Sequence, residues 1–179
     1  MKSFKILLAS LFVVLFSTTL SAKTASEIDE ETNLAIQQFN EEIEGAATFL
    51  ESAKGILIFP KVVKAGLVVG GEYGEGVLRV NGKNVQYYST ASASVGLQLG
   101  VQKKSVLIVF LTDDALNKFK EKDGWEIGVD GSVVLVDMGT GKDINSATLN
   151  KPIVGFVYGS KGLMYNLTLE GSKFTKLVR

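Results

Sequence analysis

The 179-residue chain carries 19 basic and 19 acidic residues and contains neither Cys nor His. Without imidazole or thiol there is no disulfide scaffold, no His general base, no Ser-His-Asp or Cys-His nucleophile, and no Cys/His site for zinc, haem or an iron-sulfur cluster. A chain of this length fits one domain that buries roughly two-thirds of its unfolded surface and needs no covalent staple.

In chain order, the first 22 residues read as a secretory signal peptide. Lys2 and Lys5 form a basic n-region, residues 6–16 are apolar apart from Ser10, and residues 17–22 are small and polar except for Leu20. The expected cleavage follows Ala22, with Ser21 as second choice. The apolar run is shorter than the roughly 20 residues of a membrane span, and no Cys exists to carry a lipid anchor. The mature chain, residues 23–179, is expected to be one exported domain, periplasmic or envelope-associated.

Residues 24–53 hold eight carboxylates (Glu27, Asp29, Glu30, Glu31, Glu41, Glu42, Glu44 and Glu51) and no Lys or Arg. Residues 54–179 hold 16 basic and 11 acidic residues, a net of +5. Such a division implies either an acidic segment docked on a basic body or an anionic partner for that body. The acidic segment has helical spacing: Ile28, Ala35, Phe39, Ile43, Ala46 or Ala47, and Leu50 make a narrow apolar stripe. A helix over 26–51 is predicted, capped by Ser26, lying on the core rather than on an anionic membrane.

From Lys54 onward the period changes to two. Residues 77–80 and 84–88 flank Asn81-Gly82, whose tolerance of positive φ predicts a type I′ hairpin. Residues 93–101 alternate strictly and predict one strand, Lys103, Lys104 and Ser105 the turn after it, and residues 106–111 a strand buried on both faces. Thr112 caps a short helix over 113–120 with Ala115, Leu116 and Phe119 inward. Residues 159–162 are predicted to join a strand over 153–158 to one over 163–169.

Several patterns that resemble functional motifs reduce to structure. Gly66, Gly70, Gly74 and Gly76 do not follow the G-x-G-x-x-G order and no helix succeeds them; along one alternating strand they predict a bare face that permits tight coiling, a barrel corner, or close approach by another backbone or a ligand, with structural packing favoured over a ligand groove. Asp137 and Asp143 supply too few oxygens for a calcium loop. Asp130-Gly131 predicts a turn. Glu72 and Glu75, three apart on a strand, face opposite sides and cannot act together on one bond. Tyr87, Tyr88 and Trp125 lack interleaved basic residues, which argues against nucleic acid.

Six blocks in order then carry a family resemblance: "AKGILIFP" (53–60), "KAGLVVGGEYGEGVL" (64–78), "SVGLQLGVQ" (94–102), "VLIVFLTDDALNKF" (106–119), "GVDGSV" (128–133) and "VYGSKGLMYNLTLEGS" (157–172). Across essentially the whole mature chain the sequence resembles the SYLF family of lipid-binding domains, associated in eukaryotes with actin-regulating proteins, and more closely its secreted bacterial branch. The resemblance implies an α+β fold and binding of phosphoinositides or other anionic lipids without catalysis or cofactor. In eukaryotic members an amphipathic N-terminal helix takes part in membrane contact; the matching region here is acidic.

The expected fold is therefore α+β: a mostly antiparallel β-sheet or barrel-like body over 54–179, an N-terminal helix and one short internal helix. The expected function is non-enzymatic binding of an anionic phospholipid or phosphoinositide-like head group at a membrane surface. Basic loop residues would meet the phosphate: Lys54, Lys61 and Lys64 around the first strands, Lys103 and Lys104 in one turn, Lys161 in another. The alternatives are an integral outer-membrane β-barrel and an envelope protein-interaction module.

Overall fold

The computed structural model describes residues 22–66, 69–95, 100–137, 150–161, 169 and 171–179. The signal segment, the connections at 67–68 and 96–99, the Asp137 side chain with Asp143, and the strand expected over 163–169, Leu169 excepted, lie outside them. Two helices come first, α1 (Ala25–Glu42) and α2 (Ala46–Glu51). Then follow β1 (Gly55–Gly66), β2 (Val69–Val80), β3 (Lys83–Val95) and β4 (Gly100–Phe110). Helix α3 (Asp113–Glu121), β5 (Trp125–Glu126), β6 (Val134–Asp137), β7 (Ile153–Lys161) and β8 (Lys173–Leu177) complete the order. The strands form one eight-stranded half-barrel in the order β5-β8-β3-β2-β1-β4-β7-β6. Every neighbouring pair is antiparallel except β6 with β7. This is the α+β body expected, with β5 and β6 at the two ends of the sheet among the described residues.

Each face of the sheet buries its own apolar cluster. On one face Leu57, Phe59, Leu78, Tyr88, Ile108 and Phe110 pack against Leu116 and Phe119 of α3, with Trp125 and Phe174. On the other, Ile58, Leu107, Val109 and Phe156 pack against Ala35, Phe39 and Ile43 at α1, and Phe49 of α2. Residues 106–110 are buried throughout because both faces are covered. Thr112 caps α3 as predicted, accepting from the Ala115 N–H at 3.3 Å. Asn81 (φ 50°) and Gly82 (φ 74°) make the predicted hairpin turn.

Four local expectations are corrected. Thr24, not Ser26, caps α1: the Glu27 N–H donates to Thr24 Oγ1 at 3.3 Å, and the Thr24 N–H donates to the Glu27 carboxylate at 2.8 Å. The single helix over 26–51 is two, because Gly45 takes a left-handed φ of 77° between them. Lys103, Lys104 and Ser105 lie inside β4, not in a turn; the reversal falls between Val95 and Gly100, dividing the alternating run 93–101 between β3 and β4. Gly159, Ser160 and Lys161 likewise continue β7 rather than turning the chain.

The glycine-rich stretch, expected along a single strand, is divided between β1 and β2 in a hairpin with Gly66 opposite Gly70, and its bare face serves backbone packing. Strand β1 is irregular at Phe59 and Pro60 in its register with both neighbours. Pro60 has no N–H to give to a ladder, and a bulge is where a strand accommodates it. Opposite the bulge, a Cβ on Gly76 would stand 2.0 Å from the Ile58 carbonyl oxygen, and one on Gly74 would stand 3.0 Å from that of Lys61. The extra residue shifts the alternation of β1: Leu57 and Phe59 point to the α3 face, and so does Val62. Gly76→Ala should therefore lower stability by about 2–4 kcal/mol, since the clash is with backbone. Gly71→Ala, whose Cβ would meet only Ser92 O at 3.5 Å, should shift it by less than about 1 kcal/mol. Urea unfolding of the two variants checks the contrast.

Candidate functional site

Of the six lysines singled out from the sequence, the five whose side chains are described part into three environments. Lys54 is exposed just before β1, where its N–H donates to Phe110 O at 2.8 Å. It stands roughly 35 Å along β1 from Ala65. Lys64 and Lys104 are both buried, 3% exposed each. After the bulge, the even positions of β1 point to the α3 face, and there both ammonium groups converge on Glu72. Lys64 Nζ lies 3.3 Å from Oε1 and Lys104 Nζ 2.7 Å from Oε2. Two cations on one carboxylate leave this buried unit with a net charge of +1. The desolvation of all three groups is offset mainly by their mutual attraction, so Glu72 governs whether both lysines can stay inside.

Lys61 and Lys103 are exposed as Lys54 is, but on the sheet itself, both on the α1 face. Adjacent Lys103 and Lys104 thus point to opposite sides of β4, as period two requires. Lys103 pairs in register with Val63 of β1 on one side and Lys161 of β7 on the other. The Lys161 backbone is described; its side chain is not.

The surface around Lys103 is the part of the sheet that α1 does not reach. Across β4, β1, β2, β3 and β8 the register aligns Lys103, Val63, Tyr73, Ala91 and Lys173, and the next row outward on the same face is Val101, Ala65, Gly71 and Ala93. Val69 and Val101 are 67% and 61% exposed. Helix α1 is fixed over the middle of the sheet: the Tyr158 hydroxyl donates to Ala35 O at 2.8 Å, the Tyr87 hydroxyl to Asp29 at 2.9 Å, and Arg79 to Asn33 at 2.9 Å. Its N-terminal end meets the sheet at Glu75, and β1 and β2 run on for several residues beyond.

Glu75 occupies the boundary. It is 6% exposed and accepts from the Tyr73 hydroxyl at 2.8 Å, Arg179 Nη2 at 2.7 Å and the Lys23 backbone N–H at 3.2 Å. Glu72 and Glu75 face opposite sides, each tied to its own cations, so they form no carboxylate pair. Nothing in the sequence pattern marks Glu75 as different from Glu72; only the meeting of residues 23, 75 and 179 does. Among the described residues no group of three Asp or Glu side chains is placed to hold a metal ion, and no helix is long and apolar enough to cross a membrane.

Charge and burial set the titration of the tyrosines. Burial pushes Tyr73 up to about 12, aided by its hydrogen bond to Glu75 and that carboxylate's charge. Burial, with Asp123 nearby, pushes Tyr88 up to about 12. Tyr158 is raised further, by burial first and then by the charge of Glu42. Asp130 is held low chiefly by its hydrogen bond from Lys122, and this fixes the turn expected at Asp130-Gly131.

Two tests follow from these geometries. Glu72→Gln leaves two buried cations without a counter-charge and should cost about 3–5 kcal/mol, whereas Lys104→Met retains one matched pair and should cost distinctly less. Chemical denaturation of both variants checks the order. For the tyrosines, the unfolded chain releases its protons near pH 10, while the folded state holds them to higher pH. Between those values the unfolded state binds fewer protons, so stability present below about pH 10 falls as pH rises. Tyr158→Phe should lower stability at pH 9, through the lost bond to Ala35, and flatten the decline between pH 9 and 11.5 in urea titrations.

Residues 91–177 match the family model described as Ysc84, the Las17-binding protein actin regulator. That span covers the end of β3 and everything through β8. No curated protein matches the chain. The match is consistent with the SYLF resemblance carried by the six sequence blocks and supports a binding role.

Proposed function

We propose that the protein is a non-enzymatic module of the cell envelope that binds anionic lipid at a membrane surface, with the uncovered end of the α1 face as its contact. One observation carries the reading: an exposed patch of small apolar side chains, Ala65, Val69, Ala91, Ala93 and Val101, is bordered by exposed Lys61, Lys103 and Lys173. Apolar groups in the interface and lysines at head-group level form a two-part contact in which each Lys contributes about 1 kcal/mol toward an anionic leaflet. The nearby carboxylates are largely engaged: Glu75 with Arg179, Glu27 in the α1 cap, Asp29 with Tyr87 and Glu31 with Lys23, while Glu30 is exposed.

The acidic helix itself is not the contact in this reading. Ile28, Thr32, Ala35 and Phe39 are buried against the sheet, and the polar face carries carboxylates that an anionic membrane repels. An integral barrel fits poorly: the described sheet ends at β5 and β6, and helices cover both faces. A protein partner on the same patch is the second reading, favoured by the protein partner that the matched family's description names. Export to the periplasm or envelope follows from the signal-like first 22 residues and belongs to the proposal.

Val101→Asp combined with Lys103→Glu should reduce binding to phosphatidylglycerol or cardiolipin vesicles at least tenfold, measured by co-sedimentation at low salt. Both side chains are exposed, so circular dichroism and melting should stay unchanged. Equal binding of parent and variant would remove this patch from the site. A parent protein with no preference for anionic over phosphatidylcholine vesicles would end the lipid reading and leave the protein partner. Lys104 is no part of this test, because its substitution acts on the buried ion cluster.

A further inference from the structure

Glu75 is a nearly buried carboxylate whose two oxygens are used unequally. Oε1 accepts from Tyr73 and from Arg179 at 2.8 and 2.7 Å. Among the described residues Oε2 accepts from the Lys23 backbone nitrogen, at 3.2 Å. Lys23 directly follows Ala22, the residue after which the signal-like segment is expected to be cut, and Ala22 is exposed. In the uncut chain the Lys23 nitrogen is a neutral amide. Hydrolysis of the Ala22–Lys23 bond places the hydroxyl of water on the Ala22 carbonyl carbon and a proton on the Lys23 nitrogen. The acid so formed ionises and the amine takes up a further proton, becoming an α-ammonium group at neutral pH.

We infer that Glu75 is the receiving site for the new N-terminus, and that the Ala22–Lys23 bond is the processing site. The atom already within reach of Oε2 is the one that cleavage at this bond charges. A contact in which only the acceptor is charged then becomes one in which both partners are charged, an ion pair as well as a hydrogen bond. Cleavage after Ser21 would instead charge the nitrogen of Ala22 and leave the Lys23 nitrogen an amide, so the geometry separates two cuts that the sequence pattern alone leaves open.

The groups facing Glu75 are Tyr73 on its own strand, Lys61 and Ser89 as register partners in β1 and β3, Arg179 after β8, and Lys23, whose own side chain pairs with Glu31. The Glu75–Arg179 pair is neutral, so the ammonium adds one positive charge. Lys23 is half-buried, which leaves that charge partly hydrated. The result is a latch: one carboxylate holds the start of α1, the edge of its cover over β2 and the segment after β8, and it tightens only once the leader is removed. This inference rests on the export part of the proposed function and not on lipid binding.

The test uses protein exported from the full-length gene. Intact mass should show a chain beginning at Lys23. Reductive methylation with a carbon-13 label and NMR titration should show its α-amino group titrating above the ordinary value of about 7.7–8.0, and in Glu75→Gln at that value. Acetylation confined to the α-amine should lower the melting temperature by about 2–4 °C at pH 6.5, with no such effect in Glu75→Gln. A chain beginning at Ala22 overturns the inference while leaving export intact; retained Met1 overturns export as well. An α-amine of ordinary titration on a chain that does begin at Lys23 overturns it even if Glu75→Gln fails to fold. Vesicle binding is independent of all these outcomes.

Discussion

The close approach of β1 to β2 at the Phe59-Pro60 bulge determines which side of the sheet everything after it faces. Gly76 permits it, because any side chain there would occupy the space of the Ile58 carbonyl oxygen. Had β1 continued without the extra residue, Lys61, Val63 and Ala65 would have entered the α3 face and Lys64 would have left it. The buried ion cluster at Glu72 and the exposed patch around Lys103 are both consequences of that single shift. The ring of Phe59 packs over the bare face of Gly76 and stacks on Phe174 with centroids 5.4 Å apart, so the same irregularity anchors β8 through the core.

Two carboxylates three residues apart on β2 serve the two faces differently. Glu72 balances two lysines in the interior, where a charge is tolerable only with its counter-ions. Glu75 sits where the sheet emerges from beneath α1 and joins residues near the start and the end of the described chain. The first arrangement conserves the fold's interior; the second marks the border between the covered and the uncovered sheet.

The acidic helix reconciles the lopsided charge of the chain. Its stripe fills the cluster beneath Phe39 and Ile43, where Phe39 meets Phe156 edge-on at 5.1 Å. Its polar groups are drawn into specific contacts with Tyr87 and Arg79 as well as lying in the general field of a body of opposite sign. Thr32 is fully buried on the same stripe. Its hydroxyl hides it from a search for apolar spacing, although its position four residues after Ile28 and three before Ala35 is that of a core residue.

Period and punctuation determined much of this protein from sequence alone: the helical stripe from Ile28 to Leu50, the Asn81-Gly82 turn, the apolar run 106–111 that is buried on both faces as far as Phe110, the Thr112 cap, and the six ordered blocks that carry the family resemblance. These features are local, and local sterics and burial preferences enforce them. Alternation could not show where 93–101 reverses, because a residue's facing says nothing about strand ends when both neighbours continue the pattern. Nor could it tell Lys103 from Lys104, or Lys61 from Lys64. Which lysine is interior depends on a register offset introduced at Pro60 and on a carboxylate in the neighbouring strand. Both are set by contacts between distant segments, and only the tertiary structure brings those segments together.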